Sequence, residues 1–352
     1  MPRFHSRTGN EVATTRAPAD VGFDEPITIE RPFMTSLAMA AASPEQRRRI
    51  GTIRIVFALI CLANTFLQAN STYIDHFGQM FRAGWVDGQP AWLMLYGHRM
   101  ALWVERLGAS RVAIATVIIN GGLALSLLTG LGLRYLTWVG VAYNLWLWST
   151  VGGLGGPYTQ GATDPGTAIV YALIFVFVFV GVTRAWEGVS WSYGTVSGPS
   201  ANGVRIGRLL FGALWAFDAY WKWQPFFLTH AITFLQQAQD GQPAWIVVYI
   251  GWFLPIIDRI GPLVFGVFAA VMETAIALSL LTGWCLRWML WAGALYSLGL
   301  WTTAEGWGGP YGIGFTGNKG DVLGTINIYL FAFFFLIILF ARKRHGETTR
   351  QP

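Results

Sequence analysis

The sequence predicts an all-α, polytopic membrane protein made of two tandem four-helix repeats, with eight transmembrane helices in all. Three observations carry this. The 352-residue chain is 54% hydrophobic and 12% charged, about half the charge of a soluble domain. Several apolar runs approach the roughly 20 residues that span a bilayer. Short motifs also recur at one constant spacing, which marks a duplication.

"DGQPAW" occurs at Asp87–Trp92 and again at Asp240–Trp245, an offset of 153. "ALSLLTG" occurs at 124–130 and at 277–283, at the same offset. Arg134, Trp138, Tyr143 and Trp148 are matched by Arg287, Trp291, Tyr296 and Trp301. "VERLG" at 104–108 answers "IDRIG" at 257–261, and Gly156-Pro157-Tyr158 answers Gly309-Pro310-Tyr311.

Each copy holds four candidate spans. In the first they lie near 53–69, 110–130, 133–150 and 167–184. In the second they lie near 206–224, 262–283, 286–303 and 324–341. The apolar stretches that follow DGQP ("AWLMLYGHRMALW", "AWIVVYIGWFLP") are too short for a full crossing and read as interfacial or re-entrant helices. The organisation is then a disordered cytoplasmic tail (1–49), a first repeat (50–185), a cytoplasmic linker (186–204), a second repeat (205–341) and a basic tail (342–352). Residues 33–43, "FMTSLAMAAAS", are not read as a signal segment. The apolar core is short, and the basic cluster Arg47–Arg49 follows it.

Orientation follows from the basic residues. Arg47, Arg48, Arg49 and Arg54 open the first span, and Arg134 and Arg287 mark the short loops after spans two and six. Arg184, Arg205 and Arg208 lie between the copies, and Arg342, Lys343 and Arg344 follow the last span. All share one side, which is cytoplasmic by the positive-inside rule, and both termini lie there. Four is even, so the repeats run parallel. The formal charge of +6 reflects orientation and does not indicate a nucleic-acid partner; membrane lipid is the expected surroundings. Cys61 and Cys285 do not match each other and have no metal-ligand spacing.

Two polar, glycine-rich loops then stand together on the outer face. They read "VGGLGGPYTQGATDPGT" (Val151–Thr167) and "AEGWGGPYGIGFTGNKGDVLGT" (Ala304–Thr325). Such backbone at a membrane surface is tolerated where it lines a cavity, so the pair suggests a shared vestibule; ordinary turn chemistry is the alternative. Asp164 and Asp321 precede Pro-Gly-Thr and Val-Leu-Gly-Thr at the heads of the last spans, where they suit N-caps.

Charges inside the spans set the copies apart. Asp218 matches Asn64, Lys222 matches Gln68, Glu273 matches Asn120 and Glu305 matches Gly152. Asp218 stands ten residues past Arg208, about 15 Å into the membrane. Intramembrane charge is costly and usually functional. Asp218 and Lys222 are i,i+4 and can pair along one helix face; that pair is either functional or a structural tie. Glu273 has no partner nearby in sequence and suits a proton acceptor. His98 with Met94 and Met100 makes only a weak soft-metal pattern, so no metal is inferred. No glycine-rich nucleotide-binding unit and no Ser-His-acid arrangement stands out.

These residues resemble a known family. The loop "GGPY" with a later Thr and Asp, and the segment "DAYWKWQPFF" (218–227) closing a first helix, are similar to the DoxX/DoxD family, in both copies over residues 50–341. The DoxD branch supplies the membrane subunit of thiosulfate:quinone oxidoreductase and works with a DoxA subunit. The resemblance implies oxidation of thiosulfate or a related sulfur compound outside and transfer of electrons to quinone. A small anionic substrate would then meet Gly309, Pro310, Tyr311, Lys319 and Asp321, with Lys222 or Lys319 supplying charge. Glu273, Asp218, Lys222 and Glu305 would handle the protons of quinone reduction, and a DoxA-like or other redox subunit would be a partner. Two other classes stay open: a small-solute transporter, and a non-catalytic membrane partner of a redox enzyme.

Overall fold

The computed structural model describes residues 44–83, 89–156, 158, 165–182, 201–309 and 324–340. All of them belong to the unit Met39–Pro352, and their regular structure is helical. In the first half the helices are α1 (Pro44–Gln68), α2 (Ser71–Ala83), α3 (Ala91–Leu107), α4 (Ala109–Thr129), α5 (Leu133–Ser149) and α6 (Thr167–Val182). In the second half they are α7 (Ala201–Lys222), α8 (Pro225–Gln237), α9 (Ala244–Gly251), α10 (Leu254–Ile260), α11 (Pro262–Thr282), α12 (Leu286–Thr302) and α13 (Ile326–Phe340). One turn of 3-10 helix follows α5 (Gly153–Gly155) and another follows α12 (Gly306–Gly308).

Two boundaries fall earlier than the sequence indicates. α1 begins inside the stretch read as tail, and α7 inside the stretch read as linker. The expected disorder of residues 1–43, most of the linker (186–200) and the basic tail (342–352) lie outside the described residues. α2 and α8 are helices that hydropathy alone does not reveal. The segment after the second DGQP is two helices, whereas its counterpart α3 is continuous. Pro255 stands at the start of α10, where proline removes a donor and clashes with the preceding turn; the matching residue is Leu102.

Among the described residues three helices are long and apolar enough to cross a membrane: Arg48–Gln68 of α1, α4 and α11. α6 and α13 are apolar but shorter. α5 and α12 have 17 residues each, the low end of the spanning range. α7 carries Arg205, Arg208, Asp218 and Lys222, which lower its hydropathy. Eight spans are therefore a wider reading than length and composition alone support. The surface is strongly apolar: Phe66 is 78% exposed, Trp284 77% and Leu295 71%. Large apolar side chains exposed in such number on apolar helices fit contact with lipid.

α1 and α4 pack antiparallel. Gly130 after α4 lies against Arg54 near the start of α1, and Asn120 meets Gln68 at the other end. α7 and α11 repeat this: Gly283 lies against Arg208, while Glu273 meets Lys222. Gly140 of α5 lies beneath the Phe175 ring of α6, and Gly293 of α12 beneath Phe333 of α13. Either glycine would put a Cβ within 2.5 Å of that ring, so only glycine permits the approach.

The two halves meet through α6 and α13. The Thr167 and Thr325 hydroxyls share a hydrogen bond of 2.5 Å at one end. Further along, Phe177 and Phe335 stack with ring centroids 5.5 Å apart. The same order of contacts along both helices means that α6 and α13 run parallel.

Candidate functional site

The site grows from the packing of α7 on α11. Gly212 lets α11 come close: a Cβ there would stand 3.0 Å from Leu280 and Leu281. This contact, with Arg208 held near Gly283, places the last turn of α7 beside the middle of α11. Lys222 closes that last turn, and Asp218 stands one turn before it. Lys222 at a helix C-terminus also faces the favourable end of the helix dipole.

Lys222 Nζ stands 3.8 Å from Glu273 Oε1. The Tyr296 hydroxyl of α12 donates to the same oxygen at 3.1 Å. The Tyr329 hydroxyl of α13 donates to Asp218 Oδ2 at 2.9 Å. Lys222 Nζ also lies 4.7 Å from the centre of the Phe227 ring of α8, a cation–π distance. Asp218, Lys222 and Glu273 are all buried, Glu273 to 2% exposure. Five helices thus converge on one buried polar cluster. Loss of one member of such an ion pair costs far more than the pair itself contributes, because the remaining charge stays desolvated.

The cluster lines a cavity of about 140 Å³. Its polar wall is Asp218, Lys222, Glu273, Tyr296 and Glu305. The rest is apolar, with Trp215, Phe227, Phe234 and Phe265. A cavity of this order accommodates one six-membered ring. Three carboxyls face it against one ammonium, so its charge balance favours protons, cations or neutral ligands over a dianion.

Glu305 has a second task. Its Oε1 accepts from the Thr325 backbone N–H at 3.0 Å and its Oε2 from that of Ile326 at 2.9 Å. It therefore caps the N-terminus of α13 from the neighbouring loop, satisfying donors that a helix start leaves open.

The structure brings Asp218, Lys222, Glu273 and Glu305 to this one cavity. Gly309 is not on its wall. A Cβ on Gly309 would stand 2.3 Å from Gln242 Oε1, and Gln242 Nε2 donates to the Gly306 carbonyl at 3.1 Å. Gly309 is thus where the second DGQPAW motif packs on the GGPY loop. Gln89 does the same in the first half, donating to the Gly153 carbonyl at 3.1 Å. In both loops a non-glycine residue sits at positive φ, Leu154 at 56° and Trp307 at 61°, a strained conformation that neighbours must hold in place. Pro310, Tyr311, Lys319, Asp321 and Asp164 lie outside the described residues.

Sequence reasoning missed Tyr296, Tyr329 and Phe227 as members of the site. Tyr296 was visible only as a repeat match. Tyr329 matches Tyr171 at an offset of 158, because the second loop is five residues longer, and the 153 register hides it.

The matched positions of the first half carry a neutral version. Asn64 Nδ2 donates to the Tyr171 hydroxyl at 2.7 Å, where the second half has Asp218 and Tyr329. Asn120 Nδ2 donates to Gln68 Oε1 at 2.5 Å, where the second half has Glu273 and Lys222. Among the described residues no group of three His, Cys, Asp or Glu side chains could hold a metal ion. Comparison of the chain with protein-family models, with curated proteins and with solved structures gave no match.

Proposed function

We propose that this chain is a multi-pass membrane redox protein of the DoxX/DoxD type, whose second half receives a quinone ring and the protons of its reduction. The observation that carries the reading is the buried Lys222–Glu273–Tyr296 cluster on the wall of a ring-sized cavity. Reduction of a quinone takes two electrons and two protons. Joining two thiosulfate ions through a new S–S bond gives tetrathionate and releases two electrons, so the two half-reactions balance. Glu273 and Asp218, each held by a tyrosine hydroxyl, are the proton-passing groups toward the quinone oxygens. Lys222 keeps Glu273 in place and offsets its charge. The sulfur anion belongs at the outer loop around Lys319 and not in the cavity, whose carboxyls would repel it.

The fold reading goes with this. Eight helices cross the plasma membrane as two parallel four-helix repeats, with both termini cytoplasmic and the two halves related by an axis along the membrane normal. Four matched contacts support it: Asn64–Tyr171 with Asp218–Tyr329, Gln68–Asn120 with Lys222–Glu273, Gln89–Gly153 with Gln242–Gly306, and Tyr96–Ser149 with Tyr249–Thr302. The Thr167–Thr325 and Phe177–Phe335 contacts join residues at matched positions, as expected along a two-fold axis.

A second reading, a proton-coupled carrier of a small solute, draws on the excess of carboxyls at the cavity. A third, a membrane partner for a separate redox subunit of DoxA type, uses the same surfaces without chemistry. One experiment separates the three. Purified protein is given a short-chain quinone and a panel of sulfur donors headed by thiosulfate, and quinone reduction is followed by absorbance. The redox reading expects turnover that Glu273→Gln abolishes at equal protein abundance. Solute uptake into liposomes with no redox change favours the carrier, and turnover only on adding a second subunit favours the partner. Full turnover in Glu273→Gln would remove that residue from the proton route.

A further inference from the structure

A second open space lies away from the cavity, on the seam where α1 meets α13. It is a groove of about 500 Å³. Arg48 and Arg49 stand at its head, and Val56, Phe334 and Ile338 line its body. The order along the helices gives it a polarity. Val56 lies seven residues beyond Arg49, about 10 Å deeper at 1.5 Å per residue. α13 runs the opposite way: Phe331 meets Phe57 at 5.6 Å, while Phe335 and Ile50 both lie against Gly181. The C-terminal end of α13 is therefore the end beside the arginines.

The groove is charged at one end and apolar below. Arg48 and Arg49 are exposed, and the other described side chains on its wall are uncharged. Val56 is 43% exposed and Phe334 40%, at a depth where a spanning helix meets hydrocarbon. The other seam, between α6 and α7, is different. Asn202 and Gly203 occupy the positions that match the two arginines. Gly207, which matches Ile53, lies directly beneath the Phe177 ring, 2.4 Å from where a Cβ would stand.

We propose that this groove is a binding site for one anionic phospholipid. Its phosphate sits on Arg48 and Arg49, and an acyl chain lies along Val56 and Phe334. Guanidinium groups bind phosphate through paired charge-assisted hydrogen bonds, and basic pockets between helices on the cytoplasmic side select anionic headgroups. The proposal rests on the membrane placement given above and not on the redox chemistry.

The test is native mass spectrometry of the full chain in detergent, with phosphatidylglycerol or phosphatidylcholine of identical acyl chains. Wild-type protein is expected to retain phosphatidylglycerol at least tenfold better. The double change Arg48→Gln, Arg49→Gln should bring retention down to the phosphatidylcholine level, and Arg48→Lys, Arg49→Lys should keep part of it. Val56→Trp, which fills the groove and leaves the charges, should also lower retention several-fold. Arg205→Gln, near the start of α7, should leave it unchanged. Millimolar inorganic phosphate should not displace the lipid; displacement would mean a headgroup site without a groove and would overturn the proposal. Equal retention of the two lipids by the wild type, or wild-type retention in the arginine double variant or in Val56→Trp, would overturn it as well. Failure of the membrane placement itself would show differently, as a chain that stays soluble without detergent.

Discussion

Lys222 of α7 and Glu273 of α11 stand 3.8 Å apart, and at the two matching positions of the first half Gln68 and Asn120 share a hydrogen bond of 2.5 Å. One contact is thus made twice, once with charge and once without. Along the sequence, the i,i+4 spacing offers Asp218 to Lys222; across the helices, Glu273 stands 3.8 Å from it as well.

This relationship predicts a specific rescue. Lys222→Gln alone leaves the Glu273 carboxylate buried without its countercharge and should lower stability by about 3–5 kcal/mol. Adding Glu273→Asn installs the first half's neutral pair and should restore most of the loss. Thermal unfolding in detergent measures both. A double variant no more stable than the single would mean that the pairing is not what holds these helices.

Glu305 predicts a local effect. Its carboxylate accepts from the N–H groups of Thr325 and Ile326, so Glu305→Ala should loosen the start of α13 by about 1–2 kcal/mol, the scale of a lost cap. Hydrogen exchange at those two amides should speed up about tenfold or more. Glu305→Gln keeps one acceptor oxygen and should fall between. Unchanged exchange in Glu305→Ala would leave the cap without energetic weight.

The glycines separate into two kinds. Gly155 has φ +85°, and a Cβ there would stand 2.6 Å from the Pro165 carbonyl oxygen. Gly155→Ala should therefore cost at least 1–2 kcal/mol, roughly the left-handed penalty alone. Gly122 in α4 and Gly299 in α12 meet nothing within 4 Å, and alanine there should stabilise by about 0.5–1 kcal/mol. Melting temperatures of the three variants check the order; a Gly155→Ala protein as stable as Gly122→Ala would refute it.

Much of this architecture was legible beforehand. The spans near 110–130 and 262–283 differ from α4 (Ala109–Thr129) and α11 (Pro262–Thr282) by no more than one residue at either end, because apolar runs closed by glycine leave little choice. Asp218, Lys222, Glu273 and Glu305 stood out because charge in an apolar helix is expensive. α2 and α8 were hidden because their mixed polar and apolar faces resemble loops until a partner helix is known. Tyr296 and Tyr329 were hidden for a related reason. Tyrosine is ordinary in such helices, and its importance here comes from which helix faces α7 and α11.

The described residues hold two free cysteines, Cys61 buried in α1 and Cys285 exposed in the turn between α11 and α12. Cys285 therefore serves as a native probe of its end of the molecule. That end is the basic one: Gly283, two residues before it, lies against Arg208, and Arg287 follows two residues after. Under the proposed topology it faces the cytoplasm. A membrane-impermeant maleimide should leave Cys285 unmodified in intact cells and label it after permeabilisation, while Cys61 stays silent in both. In a Cys285→Ser background, new cysteines at Gly161 and Gly314 probe the two loops expected on the opposite face; both positions lie outside the described residues. They should react in intact cells. Labelling of Cys285 without permeabilisation, or protection of either loop cysteine until lysis, would reverse or break the topology, and the outer sulfur site around Lys319 would have to be abandoned with it.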